Sequence, residues 1–173
     1  MIIYTCRGTD LDERLKKKKV IPEKDSKIIV MQILSGLRYL NIPVETDDHE
    51  KETRRKAIIH YDLKPANILF DEFDDVKITD FGLSKIVEED VIGTSIELTS
   101  QGSGTYWYLP PECSVPNSVI SPKVDIWSLG VIFYQMLFGR RPYGDGMSQD
   151  QVLREGVLVR LKLLIVCCVF NLC

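Results

Sequence analysis

"HYDLKPANILF", residues 60–70, sets a carboxylate, a cation and an amide in one short loop ahead of an apolar run. Asp62 can accept a proton from a hydroxyl. Lys64, two residues on, can neutralise negative charge. Asn67, three further, can offer an amide oxygen to a metal. Ile68 and Phe70 alternate as on a half-buried strand, and Val76 and Ile78 repeat the alternation beyond an Asp-rich turn. Residues 68–78 therefore read as a two-stranded hairpin. It leads into "DFG", residues 80–82, where Asp80 adds a second oxygen ligand. Gly82 is expected to give the backbone the freedom to place that carboxylate.

Upstream, "IIYT" (residues 2–5) can end a strand, and "GTDLDERLKKKK" reads as a turn and a short polar helix. Its run Lys16–Lys19 is expected to be a solvated face. In "IPEKDSKIIVMQILSGLRYL" Pro22 opens a helix. Ile28, Met31, Leu34 and Leu37 stand at i, i+3 spacing, which predicts that they line its buried face. A charged insertion, residues 41–57, follows, with few apolar residues and a solvated His49. Downstream, Ser84 to Gly104 reads as a polar stretch. "SPKVDIWSLGVIFYQMLFG" is a helix capped by Ser121, with Pro122 in its first turn and Gly139 as its stop. It is apolar nearly all round, which predicts a place in the middle of the domain. Ser148 and Gln151 form a capping box for one more helix.

The 173 residues suffice for one domain with a real core. A net charge of −3 argues against a general nucleic-acid binder. The five cysteines show no metal or redox spacing, so reduced thiols are the expectation. The long apolar helix holds Asp125 and is too short to span a membrane.

Phosphoryl transfer needs placed oxygen ligands for a metal, a base for the attacking hydroxyl and a cation on the transferred group, with little covalent chemistry. Asp62, Lys64, Asn67 and Asp80 supply that set. Thr105, in "GTYWYLPPE" (residues 104–112), stands where its hydroxyl would reach Asp62 and Lys64. Each motif alone is equally well a turn. In this order, followed by the "DIWSLG" helix, they resemble the large lobe of a eukaryotic protein kinase. Lys64 and Thr105 favour the serine/threonine class over the tyrosine class. "IIHYDLKPANIL", "KITDFGLSKI", "ELTSQGSGTYWYLPPEC" and "VIFYQMLFGRRPYG" are similar to the tousled-like kinases over residues 2–155, the charged insertion excepted.

The resemblance implies a mainly α fold: the large (C-terminal) lobe of the α+β protein-kinase fold, with a short β-hairpin and the small β lobe absent. Residues 1–156 would be a partial kinase domain, and 157–173 an apolar tail outside it. The implied cofactors are ATP and Mg2+. Asp62 would be the base, Lys64 the phosphate-contacting lysine, Asn67 and Asp80 the metal ligands, and Leu69 the floor under the adenine. Asp125 would hold the His60–Tyr61 backbone, and His60 would stack on Phe81. The implied substrate is a protein, a histone chaperone of the Asf1 type, in the nucleus. Coiled coils outside this chain would serve oligomerisation. No direct contact with nucleic acid or membrane is implied.

Two departures stand out. Tyr61 occupies a position that usually carries Arg, so it is expected to pack its ring rather than await a phosphorylated activation segment. That segment offers Thr94, Ser95, Thr99, Ser100 and Ser103 as acceptors. The chain also reads as starting at the hinge, without Gly-rich loop or strand lysine, and after Glu155 it leaves the family pattern, with no Arg to pair with Glu112. The tail then reads either as a truncated gene product or as a membrane or partner anchor. Two functions follow: a serine/threonine kinase whose large lobe is seen here, or a non-catalytic remnant or interaction module. Residues 1–173 alone are expected not to transfer phosphate.

Overall fold

The computed structural model describes residues 8–41, 56–88, 105–114, 118, 120–148 and 151–152. The expectations for residues 2–5, most of the charged insertion with His49, the five activation-segment hydroxyls and the tail lie outside the described residues.

Helix α1 spans Leu11–Lys18. Asp10 caps it by accepting the Glu13 N–H at 2.7 Å. Leu11 and Leu15 are buried and Lys16–Lys19 are exposed, so the lysine run is a solvated face. Helix α2 spans Glu23–Leu40, with Pro22 at its N-cap. Its buried residues are Ser26, Ile29, Val30, Ile33 and Leu37. This corrects the expected stripe: Leu37 is buried and Leu34 partly so, but Ile28 and Met31 are 50% and 64% exposed. A step of three residues falls about 60° short of a turn, so an unbroken i, i+3 series walks around the helix. The buried set follows i, i+3, i+4, i+7 instead.

Two antiparallel pairs carry the loop. Strand β1 is Lys56–Ile59, β2 Ile68–Phe70, β3 Val76–Ile78 and β4 Lys85–Glu88. The β2–β3 hairpin forms as expected, with Leu69 opposite Lys77. The side chain of Gln32 on α2 accepts the Val76 N–H at 2.7 Å and pins the hairpin to the helix. The pairing of β1 with β4 corrects two expectations. Lys56 and Ala57 belong to a strand rather than the insertion, and Lys85–Glu88 is a strand rather than polar loop. Its partner lies far upstream, so no local turn announces it.

Helix α3 spans Lys123–Phe138 and is buried on most sides. Its cap is Pro122 rather than Ser121, although the Ser121 hydroxyl accepts the Lys123 N–H at 3.3 Å. α1, α2, the hairpin and α3 share one apolar core, centred on Leu11, Ile33, Ile68, Ile132 and Met136. A second cluster joins Ile59, Tyr61, Leu109, Cys113, Ile120 and Val124. The capping box forms, with Ser148 N–H donating to Gln151 Oε1 at 2.8 Å and Gln151 N–H to Ser148 Oγ at 3.3 Å.

Gly139 ends α3 at φ 70°, and a Cβ there would stand 2.9 Å from the Lys19 carbonyl oxygen. Gly139→Ala is therefore expected to destabilise the fold by at least about 1–2 kcal/mol, the cost of a left-handed residue with a side chain. Denaturant unfolding of the variant checks this, and unchanged stability would show that the turn has room to relax.

Candidate active site

The loop after β1 is held from below by α3. Asp125 is almost fully buried, and its two carboxylate oxygens accept the backbone N–H groups of His60 at 2.8 Å and Tyr61 at 3.0 Å. Burial raises the carboxyl's pKa above its ordinary value, and the two N–H donors pull the other way. Fixed so, Tyr61 takes a left-handed φ of 68°, costly for a residue with a side chain. The chain turns there and delivers Asp62.

Tyr61 packs its ring as expected, with 2% of its surface exposed. Burial raises the pKa of its hydroxyl, and the neighbouring Cys113 thiol adds to the shift. Burial likewise pushes the Cys113 thiol up to about 12, so it stays protonated. Tyr61 carries no charge that a second charge must neutralise.

Asp62 is 6% exposed and sits at the centre of a polar network. Its Oδ2 accepts from Lys64 Nζ at 2.6 Å and from Asn67 Nδ2 at 3.3 Å. Its Oδ1 accepts from the Thr105 hydroxyl at 3.1 Å. Lys64 Nζ also lies 3.4 Å from Thr105 Oγ1. The expected reach of Thr105 to both residues is therefore present, across more than forty residues of chain. Asn67 stands in a 3-10 turn, Pro65–Asn67, and its amide N–H donates to the Asp62 carbonyl at 2.8 Å. The amide nitrogen is thus committed to Asp62, which leaves the oxygen for a cation.

Asp80 is tied to the same loop through its neighbours. Thr79 N–H donates to the Asn67 carbonyl at 3.0 Å. The Asp62 backbone N–H donates to His60 Nδ1 at 3.3 Å, so that nitrogen carries no proton. The proton sits on Nε2, which donates to the Thr79 carbonyl at 2.9 Å. The expected contact between the His60 and Phe81 rings is present, but edge-on rather than stacked, with centroids 4.8 Å apart. One buried imidazole therefore links Asp62 with the segment that bears Asp80, a role the sequence reading did not assign.

The backbone freedom expected of Gly82 belongs instead to Asp80, at φ 64°. Gly82 is not left-handed. It matters because a Cβ there would lie 3.1 Å from Asp80 Oδ1, which accepts the Gly82 N–H at 3.3 Å. Asp80 is exposed and Leu69 half-buried, both open to a ligand. Oxygen donors from one amide and one carboxylate suit a Mg2+ ion that keeps waters and phosphate oxygens as its other ligands. Among the described residues Glu112 makes no ion pair.

Comparison with known proteins agrees with this geometry. The protein kinase domain family matches residues 1–164, running past Gly156 into the apolar tail. The chain is 53% identical over 163 residues to the serine/threonine-protein kinase TOUSLED of Arabidopsis thaliana, covering 93% of this chain and 22% of that protein. It is 48% identical over 166 residues to serine/threonine-protein kinase tousled-like 1 of Homo sapiens and 47% over 167 residues to tousled-like 2 of Homo sapiens. Each of these alignments covers 92% of this chain and 20% of the human protein. The chain thus spans about a fifth of the length of the curated relatives it matches. Family match, identity and the Asp62 network agree: the chain belongs to the protein kinase family, in its tousled-like serine/threonine branch.

Proposed function

We propose that the chain forms the catalytic large lobe of a protein kinase that phosphorylates serine or threonine hydroxyls of a protein. The observation that carries this reading is the Asp62 carboxylate, held on three sides by Lys64, Asn67 and Thr105. A carboxylate so oriented can take the proton of an incoming hydroxyl without searching for its geometry. Lys64 screens the negative charge that gathers on the transferred group. Asn67 and Asp80 would hold Mg2+, and Leu69 would lie under the nucleotide base. When bound, Mg-ATP supplies the electrophilic phosphorus and part of the charge neutralisation.

The test is phosphate incorporation by the full-length protein from Mg-ATP into a generic serine/threonine substrate, with phosphoamino-acid analysis. Incorporation on serine or threonine that disappears in Asp62→Asn supports the reading. Its absence in folded full-length protein would leave an interaction module. Within the same reading, the substrate is a histone chaperone of the Asf1 type met in the nucleus. Phosphorylation of such a chaperone by the purified protein, lost in Asp62→Asn, is the corresponding measurement.

A further expectation follows from Tyr61. In a loop with Arg at that position, the guanidinium waits for a phosphate on the activation segment. Tyr61 is neutral and buried. Phosphatase-treated protein is therefore expected to keep most of its activity. Activity assay and mass spectrometry together check this, and near-complete loss on dephosphorylation of Thr99, Ser100 or Ser103 would overturn it.

A further inference from the structure

Lys85 opens β4 directly opposite Ile59, the last residue of β1. Its ammonium stands 4.6 Å from the centroid of the Tyr61 ring. Among the described residues no carboxylate lies within ion-pair distance of this lysine. The residue is thus held in two ways. Asp125 fixes its backbone, and Lys85 covers one face of its ring. Tyr61 is the residue before Asp62, and Lys85 follows Asp80 by five positions. The contact therefore ties the strand after one candidate ligand to the residue that aims the candidate base.

We propose that Lys85 is a positioning residue for Asp62, acting through the face of the Tyr61 ring. A cation is drawn to the negative face of an aromatic ring, and the attraction grows as water is excluded. Tyr61 is almost fully buried and Lys85 partly so, which favours the stronger end of that range. The ring is under backbone constraint at φ 68°, so loss of its covering cation allows it to relax and carries Asp62 with it. The inference rests on the kinase reading. It differs from a phosphate-binding role for this lysine because the partner is a ring inside the fold, present without modification. Arg keeps a cation over the ring, whereas Gln keeps length and polarity without charge. Phe at position 61 keeps the face, and Leu removes it.

The experiment compares Lys85→Gln, Lys85→Arg, Tyr61→Phe, Tyr61→Leu and the double variants in phosphatase-treated full-length protein. Lys85→Gln is expected to lower kcat about five- to tenfold, the size of a partly desolvated cation–π contact, with KM for ATP within about twofold. Lys85→Arg is expected to restore kcat to within about twofold. Lys85→Gln should cost the same in the Tyr61→Phe background and nothing further in Tyr61→Leu. Thermal unfolding of the same set reads the coupling without turnover, and the contrast of Lys85→Gln with Lys85→Arg carries the test if Tyr61→Leu does not fold. Full kcat in Lys85→Gln, no rescue by Arg, or an equal cost with and without the ring overturns the proposal. So does an effect of Lys85→Gln seen only before phosphatase treatment, which would assign the lysine to a phosphate. Failure of the kinase reading looks different: the unaltered protein would show no incorporation sensitive to Asp62→Asn.

Discussion

Asp62→Asn is expected to lower phosphoryl transfer by the full-length protein about 10²-fold or more, within the range of general-base effects. The substitution keeps the shape and burial of the side chain. It replaces one carboxylate oxygen by an NH2 group, which can turn to Thr105 and donate to its hydroxyl while the remaining oxygen still accepts from Lys64 Nζ. The capacity to accept a proton is lost and the surrounding network is kept. Nucleotide affinity should barely change, because the bond from Asn67 Nδ2 to the backbone carbonyl at position 62 survives and Asp80 is untouched. Steady-state kinetics with a separate measurement of ATP binding check both halves. A variant that turns over at the parent rate would remove Asp62 from the role of base.

Asp125→Ala is expected to have the largest effect on stability. It leaves two buried N–H groups, those of His60 and Tyr61, without acceptors. Each such orphan costs about 1–3 kcal/mol. The thermal midpoint of the domain should fall by roughly 5–15 °C, given the usual conversion for a domain of this size. Activity should fall further than stability explains, because nothing then holds Tyr61 in its left-handed conformation. Asp125→Asn should be milder, since one oxygen still serves one N–H. Calorimetry beside kinetics at a temperature where both proteins are folded separates the two effects. A midpoint within about 2 °C of the parent would show that water reaches the loop and satisfies it.

What the sequence made legible followed from local order. The hairpin could be read because Ile68, Phe70, Val76 and Ile78 alternate around a turn of only a few residues. α1 could be read from its composition, and α3 from its composition and its Gly139 stop. Asp62, Lys64 and Asn67 lie within six residues of one another, so their meeting needed only a turn. Thr105 was expected near Asp62 from the order of the three chemistry-bearing stretches, and the contact itself needed the fold to bring it across more than forty residues. What stayed hidden depended on distant chain. β4 has only Ile86 and Val87 as apolar residues, and β1 is its reason to be a strand. The exposure of Ile28 and Met31 follows from which face of α2 meets α3 and the hairpin. The proton position on His60 is set by two backbone groups that no motif names. The left-handed turn falls at Asp80, a residue type that rarely announces one, rather than at Gly82.

The bonds from Asp125 to His60 and Tyr61 also fix an order of events in folding. They join residues 65 and 64 positions apart. Closing so long a loop costs entropy before the contact returns anything. During synthesis the loop that bears Asp62 leaves the ribosome well before α3. Until α3 has folded and docked, the His60–Tyr61 N–H groups lack this carboxylate and Asp62 lacks its support. The candidate active site therefore reaches its geometry only once a helix more than sixty residues downstream is in place.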